Sequence, residues 1–168
     1  MHPNFVDIEN EFVEIAAEAE RLSNRLARID PAGMPANTQD EWEATLVCAS
    51  AVAKIFSGCE RVMARLAAEI DRTPVVHADG WHAALLRRMA NPFLDARGPI
   101  ISKSCHEVLD RLRAFRHRER NTYGINLDFQ IVVQRGHEAV AGFSMFRTEV
   151  DAFLHRLQPS TGQAGSRP

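Results

Sequence analysis

The chain has 168 residues, a formal net charge of -2, 45% hydrophobic and 25% charged residues. That length supports one domain with a core of its own, and the balance of charge and apolar content excludes a disordered chain and a bulk polyelectrolyte. No apolar run reaches the roughly 18–20 residues a membrane span needs, and Met1–Glu9 lacks the basic-then-apolar order of a signal peptide, so a cytoplasmic protein that does not engage the membrane is expected.

Phe5, Ile8, Phe12, Ile15, Ala19, Leu22, Leu26 and Ile29 recur at steps of three and four, which predicts an amphipathic helix over about 4–30. Pro31 and Pro35 end it, and Thr38 or Asp40 can cap the next helix. That second helix is expected over about Glu41–Asp71, with Trp42, Leu46, Ala49, Ala53, Phe56, Met63, Leu66 and Ile70 inward and Gly58 as a weak point. Asp79 can cap a short third helix containing Trp81, Leu85, Leu86 and Met89, with Trp81 read as core.

Asn91–Pro99 is a second connection, after which Ser102 opens a fourth helix with Ile101, Cys105, Val108, Leu112 and Phe115 inward. Its continuation is the densest positive charge in the chain: five arginines and His117 lie between Arg111 and Arg120. Gly124 closes it, and a last helix runs over about Leu127–Leu157, with Val133, Val140, Phe143, Phe146, Val150, Phe153 and Leu157 inside. No segment alternates at period two. The expectation is an all-α, up-and-down antiparallel bundle of about five helices, one domain over 1–158, with 159–168 a disordered polar tail.

At about 100° per residue, Arg113, Arg116, Arg120 and Tyr123, the only tyrosine, fall near one another on one face. Arginine's planar fork suits phosphate and carboxylate, and each uncompensated buried charge costs several kcal/mol. These side chains therefore meet solvent, carboxylates of neighbouring helices, or a polyanion. Glu107 and Asp110, like Glu60, read as ion-pair partners rather than general acids.

The seven histidines include no zinc-protease pair, and the three cysteines are not spaced as ligands, so no metal is expected. Cys48 and Cys59 lie about three turns apart on one helix, too far to bridge, and are read as buried thiols. His82 is read as a helix-start residue bonded to backbone or to a partner. No phosphate loop, nucleophile elbow or dinucleotide fingerprint is present, and no cofactor is expected.

The run Phe115-Arg116-His117-x-x-Arg120-Asn121-x-Tyr123-Gly124, followed by Leu127-Asp128, resembles the signature of HepT-like toxins of the HEPN superfamily. The stretch from Ile55 to Ala67, with Phe56-x-Gly58-x-Glu60, resembles that family's second helix. Trp81-His82-x-x-Leu85-Leu86-x-x-Met89 resembles the start of its third, and Gly98–Ser102 the entry to its fourth. Together these blocks cover about residues 40–158.

The resemblance implies a helical homodimer whose motif helices form a composite cleft. It also implies metal-independent RNA cleavage within a type VII toxin–antitoxin system, with tRNA one candidate substrate. The implied antitoxin is an MNT-type nucleotidyltransferase that transfers AMP to a tyrosine. Carried onto this chain, Arg116 is the catalytic arginine, His117 the intervening polar residue and Tyr123 the modified tyrosine. Arg113 and Arg120 add substrate contacts or cross-dimer pairing.

Where the family has its histidine, this chain has Asn121, which has no titratable group near neutral pH. Three readings follow: a weakened or inactive member that keeps the anion cleft, proton transfer taken over by His117, or slower cleavage resting on arginine electrostatics. A non-enzymatic HEPN dimer that binds RNA or holds a nucleotidyltransferase is the alternative function. A plain helical interaction protein is a third.

Overall fold

A computed structural model of the chain describes residues 5–94, 96–121 and 127–157. Five helices follow in order: α1 (Val6–Leu26), α2 (Gln39–Glu69), α3 (Trp81–Ala90), α4 (Lys103–Asn121) and α5 (Phe129–Leu157). Among the described residues there is no strand, only an isolated bridge between Phe93 and Arg97. The tail expected at 159–168 lies outside the described residues.

Side-chain caps set several helix starts. Thr38 Oγ1 accepts from the Glu41 amide at 3.2 Å, and Glu41 reaches back to accept from the Asn37 amide at 2.6 Å. Asn37 takes the left-handed φ of 60° this reversal needs. Ser102 Oγ accepts from the Cys105 amide, and Asp128 Oδ1 from the Ile131 amide. At α3 the cap is Gly80 at φ 74° rather than Asp79, and no side chain closes it. A left-handed residue turns the chain into the helix there, which leaves the aspartate one position too early to cap.

Three ion pairs give the register of α1 against α2. Asp7 meets Arg65, Glu11 meets Arg61 and Glu18 meets Lys54. Each advance along α1 is matched by an equal retreat along α2, so the helices are antiparallel. Exposed pairs of this kind contribute about 0–1 kcal/mol each, so they choose register more than they stabilise. Arg111–Glu138 and Ser102–Glu149 give the same antiparallel relation between α4 and α5.

The helices enclose one apolar core, with Phe12 packed on Phe143 and Phe146 and backed by Ile55, Phe56, Met63 and Leu109. α1, α2 and α5 pack mutually, while α4 lies on α2 and α5, and α3 on α2 and α4. Burial pushes the Cys59 thiol up, and burial together with the adjacent Glu149 pushes that of Cys105 up to about 12. Cys48, Cys59 and Cys105 are all buried, free cysteines.

Several inward expectations need correction. Trp42 is 51% exposed, because the α1–α2 register carries the first turn of α2 past the end of α1. Leu157, in the last turn of α5, is likewise exposed. Leu46, Ala53, Ile70 and Val140 are half-buried, as is Trp81, which lies against the core's edge. Leu109 is fully buried, whereas Val108 is half-buried beside it.

Gly58 is a point of close contact rather than a weakness. A Cβ there would lie 2.4 Å from Ile15 Cγ1. Gly58→Ala gains about 1 kcal/mol of helix propensity, but overpacking against Ile15 costs about 1–3 kcal/mol, for an expected net loss of up to about 2 kcal/mol. Urea denaturation measures it, and a stabilised variant would refute the close approach.

Candidate functional site

α4 buries Cys105, Leu109, Leu112 and Phe115 along one face, and Arg116 follows at the edge of that stripe. The Arg116 side chain crosses Phe56 of α2, its Cζ 5.9 Å from the ring centroid. It ends with Nη1 donating to Glu60 Oε2 at 2.9 Å. The other oxygen, Oε1, is bonded to His82 Nδ1 at the start of α3. One carboxylate thus joins α2, α3 and α4.

Glu60 has only 7% of its side chain exposed, against 17% for Arg116 and 34% for His82. A buried carboxylate persists only where partners replace its hydration, and here a guanidinium and an imidazole do so. The His82 ring lies on Trp81 at 3.8 Å between centroids, and Trp81 meets His77 at 4.3 Å. This stacking restricts rotation of the imidazole.

The arginine cluster divides among several partners. Arg111 reaches Glu138 of α5 at 3.2 Å, and Arg113 donates through Nε to Asp110 of its own helix at 2.7 Å. His117 and Arg118 are exposed. The backbones of Arg120 and Asn121 complete α4, but their side chains fall outside what the structure describes. Tyr123, and Gly124 as the close of α4, lie outside the described residues altogether.

Arg116 also borders an open groove of about 630 Å³ between α1, α2 and the C-terminal half of α4. Arg21, Lys54 and Arg61 line it with Glu14, Glu18 and Glu119, so its charge is mixed. Among the described residues, no group of three or more His, Cys, Asp or Glu side chains is placed to hold a metal ion. No helix among them is long and apolar enough to cross a membrane.

The sequence reading placed Glu60 among ion-pair partners but not against Arg116, and it left the partner of His82 unnamed. The pattern did hold a signal. Glu60 stands four residues after Phe56 and three before Met63, so a carboxylate occupies the apolar stripe of α2. A charge at a core position requires a counter-charge from a neighbouring helix.

Among curated proteins and among solved structures, nothing matches this chain. A family model described as HepT-like protein matches residues 47–157, from the first half of α2 to the end of α5. The match takes in Glu60, His82 and the whole arginine helix. The chain belongs to the HepT-like family of the HEPN superfamily.

Proposed function

We propose that the protein is a metal-independent endoribonuclease, the toxin of a type VII system. An MNT-type nucleotidyltransferase would control it by transferring AMP to Tyr123. The observation that carries this reading is the state of Arg116. Its guanidinium is anchored at Nη1 by Glu60 and borders a groove, which leaves further donors of the planar fork for a phosphate. A phosphate so held is oriented, and the charge that develops on it in the transition state is stabilised.

The active form in this reading is a homodimer joined through the face of α4 that bears Arg116. His117, Asn121, Arg113 and Arg120 would contribute contacts to the RNA backbone or across the dimer. Asn121 favours a second reading, a dimer that binds RNA or the nucleotidyltransferase without cutting, because an amide cannot carry a proton. RNA cleavage in EDTA by wild type and Asn121→His separates the two. Cutting by the wild type supports the nuclease, and cutting by Asn121→His alone supports the binding dimer. Sedimentation should give a dimer at micromolar concentration, and a monomer would refute the composite cleft.

A further inference from the structure

We propose that His82 is the proton carrier of the Arg116 site, supplying the chemistry that Asn121 cannot. The inference rests on the nuclease reading above and adds a residue from a different helix. It starts from one carboxylate with two partners: Glu60 holds Arg116 on Oε2 and His82 on Oε1. Both partners come from the same protomer, so this part of the site is complete without a second chain.

A carboxylate accepting from Nδ1–H fixes the imidazole tautomer and leaves the Nε2 lone pair as the basic position. The same carboxylate–imidazole arrangement orients the base in hydrolytic triads. The His82 side chain is 34% exposed and stacked on Trp81, so the ring meets solvent while keeping one orientation. Among the described residues, the charged and titratable groups around it include Glu60 of α2, Arg116 of α4 through that carboxylate, and His77 across Trp81.

Substrate binding couples the two partners. With no phosphate present, Arg116 neutralises Glu60. A scissile phosphate held by the remaining donors of the guanidinium shares its positive charge, and Glu60, still hydrogen-bonded to both partners, keeps the imidazole in place as it takes up a proton. His82 Nε2 takes the proton of the ribose 2′-hydroxyl, and O2′ attacks phosphorus. The P–O5′ bond breaks, leaving a 2′,3′-cyclic phosphate. The departing O5′ takes a proton from water, and His82 returns its own proton to the hydroxide so formed.

The test is single-turnover RNA cleavage in EDTA by wild type, Arg116→Lys, His82→Gln, His82→Ala and, as a histidine control, His155→Gln. Glutamine at 82 can still donate to Glu60, so His82→Gln is expected to keep its fold and its RNA affinity within a few-fold by fluorescence anisotropy. Its cleavage rate should fall about 10²–10⁴-fold, the usual contribution of a positioned proton carrier. Its pH–rate profile should lose a limb, and imidazole should restore part of the activity of His82→Ala.

Cleavage by His82→Gln within a few-fold of wild type and with an unchanged pH profile, while Arg116→Lys is inactive, would overturn this inference and leave the nuclease reading standing. Loss of cleavage in His117→Gln with His82→Gln active would do the same and transfer the proton to α4. A wild type that does not cut RNA would overturn both.

Discussion

Arg116→Ala is expected to lose about 10²–10³-fold in RNA cleavage and to melt well below the wild type. The first effect follows from the proposed role of the guanidinium, whose donors would hold the phosphate. The second arises because Glu60 keeps its charge inside the bundle with one partner gone, a loss of about 3–5 kcal/mol. A drop in activity from this variant alone therefore cannot be assigned to chemistry. Adding Glu60→Gln removes the stranded charge. The double variant should recover most of the melting temperature and none of the cleavage. Full thermal stability in the single variant would show that the Glu60–Arg116 pair carries no weight in the fold.

The second large effect is expected far from the groove. Asp71 follows the C-terminus of α2 with its side chain 0% exposed. It accepts from Arg97 Nε at 2.6 Å and Nη2 at 2.9 Å, and from Arg88 Nε at 2.6 Å. Both guanidinium groups also lie against the ring of Phe93. Arg97 further donates to the carbonyls of Arg88, Asn91 and Gly98, so this cluster ties the α3–α4 connection to α2. Asp71→Asn leaves two buried cations without their anion, at an expected loss of about 3–5 kcal/mol. For a chain of this size that lowers Tm by roughly 6–20 °C in a calorimetric scan. A change of only a degree or two would mean that water already screens the cluster. Since α3 carries His82, the same substitution should also lower any activity that depends on His82.

The helices were legible because their apolar residues recur at helical spacing along stretches long enough to average out exceptions. Ile8, Phe12, Ile15, Ala19, Leu22 and Leu26 were all expected inside and are all buried. Periodicity failed where helices run past their neighbours. Trp42 continues the stripe of α2, but α1 has already ended opposite it. It also could not report how closely helices approach, so Gly58 looked like a propensity defect instead of the seat of Ile15.

The candidate site was legible in part. The arginine run and the family resemblance pointed to Arg116, but helical geometry alone placed it on one face with Arg113, Arg120 and Tyr123 and left the partners of each open. Arg113 pairs with Asp110 one turn back, the ion-pair role expected of that carboxylate, while Arg116 reaches across to α2. Cross-helix partners depend on register between segments far apart in sequence, which no local pattern encodes. Arg116 and Glu60 are 56 residues apart in the chain, and Glu60 and His82 are 22 apart.

The most direct test of the account is single-turnover RNA cleavage in EDTA by wild type and Arg116→Lys, each shown to be folded by its melting curve. Lysine keeps a positive charge toward Glu60 but lacks the planar fork that holds a phosphate. The account predicts that the wild type cuts and that Arg116→Lys is at least about 10²-fold slower at a similar melting temperature. Equal rates for the two proteins, or a wild type that leaves RNA intact, would contradict it.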